Sequence, residues 1–320
     1  MSTYWPWPHN PHQSSYFPAL LLAGRPVNSF SSAVERLVWR RRVTDVWRRA
    51  RLKWHASHKV NQFRTWCYKT LRPCDSPCFV FIVGCQRSGT TVFADAISLS
   101  PKVTRYGEGD QPYFYPEDSP KKLRLRENEV LRELLRREKS SHIVLKPLYE
   151  SQFAPSYLSA FQGSKALWIY RGYEHVAHSH IHKYTDTNGV AYVEDMLERR
   201  KRSWKNEYIT DDAVALLDAW RGRDPNSATG YAIVWYVRTS MYFAFADTPN
   251  LKLVSYEKLV RDPVESLASV YRFLDLPFDP DYAYIVNSHG VSRRVTLDIA
   301  PDVRERCEEL MRRLDSTPQI

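Results

Sequence analysis

Residues 79–99 read FVFIVGCQRSGTTVFADAISL, and the rest of the chain is organised around them. Phe79, Val80, Phe81, Ile82 and Val83 form a continuous apolar run of β-branched and aromatic residues, the pattern of a strand buried on both faces of a parallel sheet. The run stops at Gly84. Gln86, Arg87, Ser88 and Gly89 then lead into Thr90 and Thr91, after which Val92, Phe93, Ala96, Ile97 and Leu99 recur at helical spacing. Strand, glycine-bounded loop and helix in this order present unpaired backbone N–H groups at a helix N-terminus, where a phosphate is the natural guest. The alternative is a strand–turn–helix whose glycines only permit the turn. Against the pattern G-x-x-x-x-G-K-[ST], Thr90 stands where the phosphate-reaching lysine belongs, which argues against an ordinary ATPase or GTPase. The positive charge lies inside the loop instead, as Arg87, whose guanidinium can fork onto a phosphate or sulfonate.

QRSGTT after an apolar strand resembles the 5′-phosphosulfate loop of sulfotransferases that use 3′-phosphoadenosine 5′-phosphosulfate (PAPS), in particular the branch of tyrosylprotein sulfotransferases and many bacterial enzymes. The resemblance extends to about residue 277 and leaves the N-terminal quarter outside. It implies an α/β fold, a P-loop-type parallel sheet flanked by helices, with PAPS as co-substrate and no metal. Gln86, Arg87, Ser88, Gly89, Thr90 and Thr91 would form the cradle. A second strand is expected over 101–105, ending at Gly107-Glu108-Gly109. From spacing alone Glu108 is either a cleft carboxylate or a solvated turn residue; the resemblance implies a general base. If Glu108 is only a turn residue, His142 is the first substitute. The strand 143–145 closes at Lys146-Pro147, where the family also carries a lysine, so Lys146 and Arg87 would stabilise the transferring sulfuryl and the leaving phosphate.

ALWIY at 166–170 is a further strand, followed by Arg171. Arg171 and Ser179 keep the eight-residue interval of the family's 3′-phosphate block, and Lys183, one turn beyond Ser179, can share that face. The chain departs from the family at Tyr173, where a proline is usual. The stretch LKLVSYEKLVRDPVESLASVYRFLDLP resembles the late block of the family, implying that Tyr256 meets the adenine side of the nucleotide. HGVSRR at 289–294, with Ser292 and Arg293, resembles more loosely the loop that closes over the nucleotide.

The 320 residues suit one α/β catalytic domain, read as 73–320 with a helical insertion at about 190–230. Residues 121–139 read as a charged helix and 231–246 as an apolar one. No apolar run approaches the ~20 residues that span a bilayer, and no signal peptide is evident. Five cysteines, an odd set in a chain of this size, predict a reducing cytoplasm. Cys74 and Cys78 lack a matching downstream pair for zinc. His175, His178, His180 and His182 step by two, so the set does not share one helix face, and no metal site is expected.

The formal charge of +10 is confined to one segment. Residues 30–72 hold twelve Lys or Arg and two acidic residues, which leaves the remainder neutral. Within the N-terminal region 1–72, which begins irregularly, Trp39, Val43, Val46, Trp47, Ala50 and Trp54 recur on one side of a basic amphipathic helix. Two readings follow: a helix lying peripherally on an anionic membrane, or one packed on the catalytic domain with its arginines in water. The neutral catalytic region gives no pull towards acidic polymers, and no nucleic-acid partner is expected. The expected reaction is sulfuryl transfer to a hydroxyl, on a carbohydrate or lipid-linked glycan, with a phenol or peptide tyrosine as the alternative. Rival readings are a P-loop kinase with an altered lysine and a non-catalytic nucleotide-binding adaptor. The Arg171–Ser179 interval disfavours the kinase, and an intact Glu108 with Lys146 disfavours the adaptor.

Overall fold

A computed structural model of the chain describes residues 58–71, 74, 76–116, 121, 123–184, 188–198, 207–286 and 295–320. The basic amphipathic helix expected before residue 55 lies outside the described residues, as do Ser292 and Arg293. The described residues fall within one compact unit.

Strand β1, Cys78–Gly84, is the middle of a parallel sheet. Its neighbours are β3, His142–Leu145, and β4, Lys165–Tyr170; β2, Val103–Tyr106, and β5, Leu251–Ser255, form the edges. The order is β2-β3-β1-β4-β5. Phe79, Phe81 and Val83 enter one apolar layer with Trp168, Tyr170 and the helices Ser227–Ser240 and Pro301–Ser316. Val80 and Ile82 enter the other, against the helices Thr90–Ile97 and Pro263–Phe273. All five side chains are fully buried, so the run is apolar throughout because both of its faces are covered. Each contributes about 1.5–3 kcal/mol relative to exposure.

The end of β1 is fixed by contacts that sequence spacing does not announce. Gly84 adopts φ 126°, and a Cβ there would sit 2.2 Å from the Ile169 carbonyl oxygen of β4. Its N–H donates to Ser151 Oγ at 3.0 Å, and that hydroxyl lies 3.2 Å from the Gly84 carbonyl. Gly84→Ala is therefore expected to lower stability by ~2 kcal/mol or more. Urea unfolding reads this, and a midpoint equal to wild type would show that the sheet can part here at no cost.

Two helical expectations need correction. The helix expected over 121–139 begins only at Asn128 and ends at Arg137. Leu125 instead bridges to Phe114, its N–H donating to the buried carboxylate of Glu150 at 2.7 Å, while the Arg126 N–H donates to the Tyr113 carbonyl. These bonds satisfy the backbone outside a helix, so the charged composition alone misplaced the boundary. The apolar helix starts earlier than expected, at Ser227, where Asn226 caps the N–H of Thr229, and runs to Ser240 before a 3₁₀ turn, Met241–Ala244.

Candidate active site

Because the sheet is parallel, the loops after all five strands open along one edge, the place where open α/β sheets bind ligands. Each supplies a side chain to one cleft: Arg87 after β1, Glu108 after β2, Lys146 after β3, Arg171 after β4 and Tyr256 after β5. Gln86, Gly89, Thr90, Thr91 and Ser179 complete the lining predicted from sequence, and Val92, Leu148 and Tyr184 join it unannounced. Lys183 is exposed near the end of the helix Tyr173–Lys183 and does not line the cleft; the next residue, Tyr184, does.

The loop is shaped by two left-handed residues, Arg87 at φ 68° and Gly89 at φ 88°. A Cβ on Gly89 would lie 2.1 Å from the Tyr256 ring, so the glycine lets the loop lie against the residue after β5. The helix Thr90–Ile97 has Gly89 as its N-cap, with no side-chain cap, and no acidic residue in its first turn, so neither satisfies its leading N–H groups. Ser88 is fully buried within the loop, and its hydroxyl finds no hydrogen-bond partner among the described residues. Cys85 is buried too; burial pushes its thiol up to about 12, leaving it an inert group.

The two blocks read as phosphate-binding meet physically. Arg87 Nε donates to Ser179 Oγ at 3.1 Å. Arg171 is positioned by its backbone: its carbonyl accepts from Trp235 Nε1 at 2.9 Å, and the N–H of Gly172 donates to Glu257 Oε1 at 2.9 Å. Its guanidinium lies 4.6 Å from the centre of the Tyr256 ring. Tyr173, in place of the family's proline, opens the helix and packs on Trp235 at 5.7 Å between ring centres.

Across the cleft, Lys146 Nζ donates to Thr91 Oγ1 at 3.1 Å, and Glu108 Oε1 accepts from the N–H of Leu148 at 3.2 Å. Burial raises the Glu108 carboxyl to about 7, against the opposing pull of Lys146 and the backbone N–H groups of Tyr149 and Leu148. Burial also lowers Lys146, as do the like charges of Arg105 and Arg87, while Glu108 counters them. Arg171 is lowered by burial and by Arg87, with Tyr256 and Glu257 opposing. Arg87 thus repels both Lys146 and Arg171 in a partly dehydrated cleft, a cost that a bound polyanion relieves. The donor set fits a nucleotide that carries more than one phosphate or sulfonate group.

His142 sits at the opposite, amino end of β3, buried and lowered to about 4 chiefly by desolvation, with Nδ1 2.9 Å from Ser141 Oγ. It does not substitute for Glu108 in this cleft. In the histidine series, His178 and His182 are one turn apart and do share a face, with rings 4.0 Å apart, a pairing that the two-residue steps obscured. His180 is buried against Tyr231, and among the described residues no group of three or more His, Cys, Asp or Glu is placed to hold a metal ion. A second, more enclosed cavity adjoins the cleft through Gln86 and Leu148; Tyr149, His180, Tyr192 and Arg238 line it. Its apolar side is supplied partly by Met196 of the helix Asn188–Glu198, within the predicted insertion.

A parallel sheet whose central strand runs into a glycine-bounded loop and a helix N-terminus, with a carboxylate and a lysine together in the cleft at its edge, is an arrangement suited to transferring a group from a nucleotide. Residues 78–290 match the sulfotransferase domain family, and the chain belongs to it. Similar solved structures include a sulfotransferase from Alicyclobacillus acidocaldarius, 17% identical over 76% of this chain and 96% of that one, with a TM-score of 0.43. The sulfotransferase domain of the Synechococcus PCC 7002 olefin synthase is 14% identical over 74% and 96%, with a TM-score of 0.44. A mouse sulfotransferase complexed with PAP is 17% identical over 75% and 85%, with a TM-score of 0.42. No curated protein matches the chain.

Proposed function

We propose that this sulfotransferase moves a sulfuryl group from PAPS to a hydroxyl of a carbohydrate or lipid-linked glycan, with 73–320 as the catalytic domain. The observation that carries the reading is the convergence of Arg87, Lys146 and Arg171 on one cleft, with Glu108 beside the lysine. PAPS supplies the sulfuryl group and a bisphosphate leaving group. Gln86, Arg87, Ser88, Gly89, Thr90 and Thr91 form the cradle at the 5′ end, through the N–H groups of an uncapped helix N-terminus. Arg171 and Ser179, which line the cleft together, serve the 3′-phosphate. Tyr256 stacks with Arg171 and bounds the nucleotide side of the cleft. Lys146, held by Thr91, stabilises negative charge developing on the bridging oxygen, and Arg87 shares that task. Glu108 removes the acceptor proton. A carboxylate raised to about 7 is a stronger base than an ordinary one, which suits an aliphatic hydroxyl, a weaker acid than a phenol.

A second reading, a phenol or peptide tyrosine as acceptor, is favoured by the adjoining cavity, where Tyr149, Tyr192 and Met196 offer an aromatic and apolar wall. The two separate in one experiment. With sulfur-labelled PAPS and a panel of oligosaccharides, lipid-linked saccharides, simple phenols and tyrosine peptides, label is expected in the saccharides. Label confined to phenols or peptides would overturn the glycan reading while leaving the sulfotransferase intact.

A further inference from the structure

The helix His58–Leu71 is amphipathic the wrong way round. A helix packed on a domain ordinarily buries its apolar stripe and wets its polar one. Here Phe63, Trp66 and Leu71 are 63%, 61% and 78% exposed. Phe63 and Trp66, one turn apart, stack with ring centres 6.0 Å from each other. The side turned to the domain is held by polar contacts instead. Lys69 pairs with Glu138 at 2.7 Å, Lys102 lies 5.9 Å above the Tyr68 ring, and Arg64 hydrogen-bonds Tyr282. The outward apolar stripe is thus fixed by the fold. Beside it runs an open groove formed by Phe63, Cys67 and Leu71 with Pro101.

Exposed aromatics in a row mark a contact surface, and the charge around them selects its partner. The helix contains no acidic residue, and the segment 30–72 to which it belongs carries a net +10. A second copy of the chain would bring two such segments together, which their like charge opposes. A surface that is negatively charged and apolar just beneath matches both features, and a bilayer containing anionic lipid is such a surface. We infer that the exposed face of His58–Leu71, through Phe63, Trp66 and Leu71, inserts into the headgroup region of an anionic bilayer, to which the net charge of the segment 30–72 draws it. Among the described residues no helix is long and apolar enough to cross a membrane, so the contact is interfacial.

Charge alone would draw this chain to anionic vesicles, so the deciding variant leaves charge untouched. Phe63→Ser/Trp66→Ser alters two exposed side chains outside the cleft, and bisphosphate binding by the variant reports that the domain is folded. In cosedimentation with vesicles of phosphatidylcholine containing about 30% phosphatidylglycerol, the full-length protein is expected to bind at low salt and to release as salt rises. The double variant is expected to bind at least about tenfold more weakly at every salt concentration, because it lacks the inserting rings. Equal binding by variant and wild type would overturn the inference and leave only electrostatic adsorption. Absence of binding to the anionic vesicles at low salt would also overturn it. So would a dimer that the double variant abolishes in the absence of lipid, which would assign the face to a second copy of the chain.

Discussion

Arg171→Ala is expected to weaken binding of adenosine 3′,5′-bisphosphate by ~2 kcal/mol, about thirtyfold, with no dependence on magnesium. The size follows from how the side chain is held. The Trp235 bond to its carbonyl and the Glu257 bond to the next N–H fix the turn, while the Tyr256 ring sets the guanidinium plane. A group ordered in advance loses little entropy on meeting a phosphate, and one repelled by Arg87 gains from the neutralisation. Arg171→Lys keeps the charge but not the planar fork and is expected to fall between the two. Calorimetric titration of the three proteins measures the series. An alanine variant that binds like wild type would remove Arg171 from the nucleotide site and leave it as a brace for Tyr256.

Glu108→Gln is expected to lower turnover by ~10²-fold or more while leaving bisphosphate affinity within about twofold of wild type. The carboxylate must be ionised to take the acceptor proton, and burial holds it protonated up to about pH 7. Activity should therefore fall as pH drops through about 7, with the limb in kcat/KM governed by the free enzyme. The glutamine variant should lack that limb. Lys146 complicates neither sign: its own pKa is lowered by burial, but its charge favours ionised Glu108 and so opposes the shift. An unchanged turnover would return Glu108 to the role of a turn residue between two glycines. Loss of turnover with donor binding retained would also answer the adaptor reading, since an adaptor has no turnover to lose.

Strands β1, β3 and β4 were legible because each carries a short continuous apolar run and ends at a glycine or a cation. The run 79–83 is buried on both faces, and Lys146 and Arg171 each follow directly on a strand. Parallel order then places every post-strand residue at one edge, so a linear series of Arg87, Glu108, Lys146, Arg171 and Tyr256 becomes one cleft. What stayed hidden depends on bonds between distant segments. Nothing in the sequence says that Ser151 ties the end of β1, 67 residues earlier, or that a bare backbone N–H at Leu148 holds Glu108. The 121–139 stretch reads as one helix for the same reason: Glu150, distant in sequence and buried, draws the Leu125 backbone out of a helix. Tyr184 left one signal, its place next to Lys183, but helical spacing favoured the lysine. The reversed helix 58–71 could not be read at all, since Phe63, Trp66 and Leu71 look like an ordinary inward stripe until the ion pair of Lys69 with Glu138 fixes the rotation.

The cleft is expected to serve a bisphosphate-bearing sulfuryl donor and not a metal–triphosphate complex. Competitive calorimetry of adenosine 3′,5′-bisphosphate against ATP, each with and without magnesium, tests it most directly. The bisphosphate is expected to bind more tightly than ATP under both conditions and to displace it. Tighter binding of ATP with magnesium would contradict a bisphosphate site, because the cations Arg87, Lys146 and Arg171 would then be answering a different ligand.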